Sequence, residues 1–91
     1  MDVVWDPKKA SFNFAKHGVM FADAATVLDD PCALTIEDRR YNEERFVTVG
    51  SDAFGRVLVV VYTYPPNLDA VRLISARRST ASEKKHYHGQ S

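Results

Sequence analysis

The chain has 91 residues, 45% of them hydrophobic, and fits one compact domain, residues 1–91, because two smaller pieces would each struggle to bury a core. Twelve Lys/Arg balance twelve Asp/Glu, which argues against a nonspecific nucleic-acid binder acting through a large positive field. The longest apolar run, Val57 to Tyr62, is too short to span a bilayer, Met1 to Asp6 lacks the pattern of a secretory signal, and Cys32 has no second cysteine to pair with, so the expectation is a soluble, cytoplasmic protein without a membrane partner.

Val3-Val4-Trp5 reads as a short strand. Asp6-Pro7 then supplies an N-capping carboxylate and a proline at the first helical position, and Gly18 ends the helix that starts at Pro7. On that helix Ala10, Phe14 and His17 follow i, i+4, i+7 spacing and are expected to share one face. Phe21, Ala24, Ala25 and Leu28 have the spacing of a second, short helix, stopped by Asp29-Asp30-Pro31. Met20 is a poor cap for it.

Beyond this point the period changes to two. Leu34 and Ile36 alternate with Thr35 and Glu37, and Phe46 and Thr48 alternate with Arg45, Val47 and Val49, with polar Asp38–Glu44 as a loop or wide hairpin between them. Gly50–Gly55 reverses the chain into Val57–Tyr62, apolar on both faces as in a central strand. Pro65-Pro66-Asn67 turns it again into a strand over 70–77. Thr80 and Glu83 have capping-box spacing at the head of a last helix that carries Tyr87. The order predicts an α+β fold with a mostly antiparallel sheet: a short N-terminal strand and a four-strand meander, flanked by two N-terminal helices and one C-terminal helix.

Charge is unevenly placed. Residues 1–38 carry three Lys/Arg against seven Asp/Glu, while residues 39–91 carry nine against five, so any anion site belongs to the second part. Arg72-Leu73-Ile74-Ser75-Ala76-Arg77-Arg78 sets three guanidinium groups on one strand, and guanidinium is the side chain best shaped to grip phosphate. In a regular strand Arg72 and Arg78 share a face and Arg77 points the other way, so Arg72 and Arg77 converge only across a bulge or a strand end.

The arginines, with Lys16-His17-Gly18 and Glu44-Arg45-Phe46, point to a ribonuclease, since phosphodiester cleavage by side chains needs a base, cations for the crowded phosphate and an acid for the leaving oxygen. His17 is the candidate for proton transfer, and Arg45, Arg72 and Arg77 form the candidate phosphate clamp. Lys9 and Lys16 are candidates for holding the RNA backbone and Tyr87 for stacking on a base. The competing reading for Arg45 is an ordinary surface pair with Glu43 or Glu44. For Glu83 it is the capping box, and for Tyr62 a core position. His86 and His88 diverge on a helix, so no metal site is assigned and no cofactor is called for.

The ordered motifs are similar to those of the BrnT family of bacterial toxins from type II toxin–antitoxin systems. The matching positions are Trp5-Asp6 with Lys9, Asn13 with Lys16-His17-Gly18, Ala24-Ala25 with Val27, Asp29-Asp30-Pro31, Glu44-Arg45, Gly50, Val60 with Tyr62, Arg72 with Ile74-Ser75-Ala76-Arg77, then Glu83 and Tyr87. The resemblance implies a RelE-like ribonuclease fold and metal-independent cutting of an RNA substrate. It also implies a cognate antitoxin protein (BrnA-like) that neutralises the toxin and through whose complex alone operator DNA is bound. The alternative is a noncatalytic nucleic-acid- or protein-binding module of a regulatory complex, using the same arginines to hold its partner. The catalytic reading requires His17 and the arginines to meet in one pocket.

Overall fold

The computed structural model describes residues 2–89. Five strands form one sheet in the order β1-β5-β4-β3-β2: β1 (Asp2–Val4), β2 (Leu34–Asp38), β3 (Arg45–Ser51), β4 (Val57–Thr63) and β5 (Ala70–Arg78). Strands β2 to β5 run as the expected antiparallel meander, and β1 adds to β5 in parallel, Val3 lying opposite Val71. The α+β expectation holds, with three α-helices beside the sheet.

Helix α1 (Pro7–His17) begins and ends where its local chemistry dictates. Asp6 accepts a hydrogen bond from the Lys8 N–H at 2.8 Å, and Gly18 takes the left-handed conformation at φ 69° while its N–H bonds the Phe14 carbonyl. Helix α2 covers only Phe21–Ala25 and tightens into a 3₁₀ turn, Thr26–Asp29, so the expected second helix is α-helical only up to Ala25 and reaches Leu28 as a 3₁₀ turn. Met20 gives it no side-chain cap. Helix α3 (Ala81–His88) opens on a complete capping box: Thr80 accepts from the Glu83 N–H, and Glu83 accepts from the Thr80 N–H.

The core lies between one sheet face and the segment from Val19 to Val27. Leu58, Val60 and Tyr62 of β4 and Val71, Leu73 and Ala76 of β5 pack there against Val19, Phe21, Ala24 and Val27. Gly50 of β3 is the close-approach point, since a Cβ there would meet Ala33 and Val27 at 3.0 Å.

The buried side chain of α1 is Asn13, next to Ala10 and His17, which are half-buried, while Phe14 on the same helix stays exposed. Asn13 is 4% exposed, whereas Phe14 is 52% exposed. The reason is a backbone demand. β1 covers β5 only as far as Arg72, and beyond it Asn13 takes the place of a strand: it donates to the Ala76 carbonyl at 2.9 Å and accepts from the Ala76 N–H at 3.0 Å. Its amide also donates to the Val19 carbonyl at 3.0 Å, which fixes the loop after α1.

Candidate functional site

The register of β4 against β5 decides where the arginines go. Thr63 lies opposite Arg72 and Tyr62 opposite Leu73, but Val61 lies opposite Ser75, so Ile74 is the extra residue of a bulge. Val59, Val61 and Thr63 alternate onto the face away from the core, and cross-strand partners share a face. Arg72, Ser75 and Arg77 are therefore all on that face, and Val47 opposite Val61 places Arg45 there too. The bulge supplies the convergence that an unbroken strand denies.

Arg45 and Arg77 line one cavity of about 250 Å³, floored by Val47, Val59 and Val61. Both guanidinium groups are partly engaged. Arg77 sets its Nη1–Nη2 edge on Glu83, at 2.8 and 2.9 Å, and gives a further Nη1 hydrogen to the Arg78 carbonyl. This pair holds the Glu83 carboxyl down at about 2 and raises Arg77. With five donors in a fixed fork, Arg77 keeps its Nε–Nη2 edge. Arg45 does the opposite: Nε and Nη2 both donate to Glu43 Oε1, at 3.1 and 3.0 Å, which leaves the other edge. Its Cζ lies 4.0 Å from the centre of the Tyr41 ring, a cation–π contact. Each arginine thus retains one two-donor edge of the kind that fits a phosphate.

Residues of the 38–44 loop complete the cavity and were not anticipated as more than a connection. Arg40 grips Asp38 with Nε at 2.9 Å and Nη2 at 2.7 Å, and those bonds hold the Asp38 carboxyl down at about 2. The carboxylate beside the anion cavity is thereby matched by a cation of its own. The sequence signal was present in the Arg39-Arg40-Tyr41 run next to Glu44-Arg45.

Arg72 is exposed, and its side chain forms no hydrogen bond or ion pair among the described residues. It shares the face of Arg45 and Arg77 without lining their cavity. His17, Lys9 and Lys16 line a separate groove of about 370 Å³ between α1 and β5. The single pocket expected of His17 and the arginines is not formed: they line two separate depressions that have only Ile74 and Ser75 in common. The cause is the seat of α1, which Asn13 ties to the edge of β5.

Tyr87 lies apart from both depressions. Its hydroxyl donates to Asp30 Oδ2 at 2.5 Å, and that bond, with desolvation, pushes the phenol up to about 12. Burial works against the Asp30 carboxylate, but bonds from the Ser51 N–H, Tyr87 and the Cys32 N–H outweigh it and lower its pKa. Tyr87 thus pins α3 to the sheet end. Tyr62 is a core residue with its hydroxyl bonded to Thr48 at 2.8 Å. A larger cavity, about 560 Å³, lies on the core side and is lined by none of the expected site residues.

Comparison with known proteins agrees with this architecture. The family model for "Ribonuclease toxin, BrnT, of type II toxin-antitoxin system" matches residues 5–83. A crystal structure of the Brucella abortus ribonuclease toxin BrnT is similar with a TM-score of 0.65 and 26% identity, over 88% of this chain and 97% of that one. No curated protein matches.

Proposed function

Because the chain belongs to the BrnT family of ribonuclease toxins of type II toxin–antitoxin systems, we propose that it is an endoribonuclease that cuts single-stranded RNA without a metal, using Arg45, Arg72 and Arg77 on the phosphate and His17 for proton transfer. The observation that carries this reading is the bulge at Ile74, which brings Arg72 and Arg77 to the same sheet face as Arg45. A guanidinium stays charged throughout the reaction, so a cluster of them neutralises the crowded phosphate at any physiological pH.

The substrate lies across the wall that the two depressions share. With its phosphate over the arginine cavity and its ribose above Ile74 and Ser75, the 2′-hydroxyl faces the groove that His17 lines. Attack of that oxygen on phosphorus expels the 5′-oxygen and leaves a 2′,3′-cyclic phosphate. His17 exchanges the proton at one of these two oxygens.

Purified protein incubated with single-stranded RNA and EDTA is expected to release fragments ending in a cyclic phosphate. No cleavage at any concentration removes the enzymatic reading, and 3′-hydroxyl ends contradict attack by the 2′-oxygen. His17→Ala is expected to abolish cutting with RNA affinity nearly unchanged. If the unaltered protein holds RNA and never cuts it, the binding-module alternative takes over. The growth-inhibiting activity of such an enzyme calls for a cognate antitoxin, which covers the arginine face and links the complex to operator DNA. Copurification with the product of the adjacent gene, and loss of inhibition on its removal, tests that partner.

A further inference from the structure

The ring of Phe12 is 70% exposed, on the same groove as His17. None of the described residues covers it. Lys8, Phe12 and Lys16 follow i, i+4, i+8 spacing, so cation, ring and cation succeed one another along one helix face, each step advancing about 6 Å. Among the described residues Lys8, Lys9 and Lys16 form no ion pair, and the groove that they line with Phe12 contains no carboxylate residue.

A positively charged groove with an exposed aromatic ring is the arrangement that holds unpaired nucleotides, the backbone by charge and a base by stacking. Ile74 and Ser75 line both this groove and the arginine cavity. We infer that Phe12 is a base-stacking residue for single-stranded RNA: a nucleotide beside the cleaved bond lays its base on the Phe12 ring while Lys8 and Lys16 hold the neighbouring phosphates. This rests on the ribonuclease reading and deepens it with a substrate-positioning residue. Every base has a flat face, so the contact tolerates sequence. It rejects duplex RNA, in which the base is already stacked and paired.

The test uses a short 2′-O-methyl RNA, which cannot be cleaved through the 2′-oxygen, with 2-aminopurine at one position. Affinity is read by anisotropy and stacking by quenching of the 2-aminopurine. Phe12→Ala and Phe12→Leu are expected to weaken binding roughly 5- to 100-fold and to remove the quenching, while Phe12→Tyr stays within about twofold. An exposed position leaves folding intact, and a thermal melt of each variant checks this.

If Phe12→Ala and Phe12→Leu bind and quench like the unaltered protein while that protein cleaves ordinary RNA, the stacking inference is overturned and the ribonuclease reading stands. If the unaltered protein neither cuts nor binds single-stranded RNA, the ribonuclease reading itself fails and takes this with it. If Phe12→Ala leaves RNA binding intact and breaks the complex with the adjacent-gene product, the groove is a protein interface and the inference is overturned.

Discussion

Arg77 has a structural task and, in the proposed function, a chemical one. One edge of its guanidinium is tied to Glu83 and the other is left for phosphate, so a lysine at this position holds at most one of the two roles. Arg77→Lys and Arg45→Ala are each expected to lower kcat for RNA cleavage by about 10²–10³, measured in single-turnover assays. The same ion pair sets an acid limit on stability. Glu83 titrates at about 2 in the folded chain against an ordinary 4.5. A depressed carboxyl stabilises above its ordinary value and loses that contribution as pH falls through the folded one. Melting temperatures recorded from pH 5 to 2 are thus expected to fall less steeply in Glu83→Gln than in the unaltered chain. None of this pairing was legible in the residues alone: Glu83 announced its capping role, but the bond to Arg77 depends on where α3 leaves the sheet.

At the scale of elements, Asn13 ties α1 to the edge of β5, and Tyr87, with Glu83, ties down α3. Asn13 satisfies both backbone groups of Ala76, and Asn13→Ala leaves a buried N–H and a carbonyl without partners. The expected cost is about 2–4 kcal/mol, read as a lower midpoint in chemical denaturation. Because α1 carries His17 and Lys16, cleavage is expected to decline before the protein unfolds. Tyr87 does the matching work for α3 through Asp30. Its phenol sits at about 12 in the folded state against an ordinary 10.0. A raised phenol stabilises below its ordinary value, and the contribution is lost as pH rises from 10 towards 12. Tyr87→Phe is expected to lose stability at pH 8 and to show a flatter decline between pH 9 and 11. Signals confined to a few residues made the ends of these helices readable, from Asp6 and Gly18 on α1 to Thr80 and Glu83 on α3. The shared face of Ala10, Phe14 and His17 was readable from spacing, but the burial of Asn13 beside it was not. A buried asparagine answering a strand edge 63 residues away leaves no trace in helical periodicity.

At the scale of the whole molecule, zero net charge coexists with arginines gathered on one sheet face, so the proposed capture of RNA is expected to be local. If Arg45, Arg72, Arg77, Lys9 and Lys16 each meet one phosphate, as the proposed function has it, log affinity is expected to fall with log salt at a slope of about −3 to −4. Lys9→Ala or Lys16→Ala is expected to make that slope shallower by about 0.7, the signature of one phosphate contact. A slope near zero in titrations from 50 to 300 mM salt contradicts phosphate capture on this face.

The amino-acid sequence by itself determined the order of elements, the meander and the residues that mark the family, because capping, turn formation and strand alternation act between near neighbours along the chain. Only the tertiary structure decided that Ile74 bulges so that Arg72 and Arg77 share a face, that Glu43 and Glu83 each occupy one edge of an arginine, and that His17 lines its own groove beside the arginine cavity. Each of these depends on strand register and on side chains that meet across the sheet, and a single-residue slip in register reverses the face on which every later residue of a strand stands.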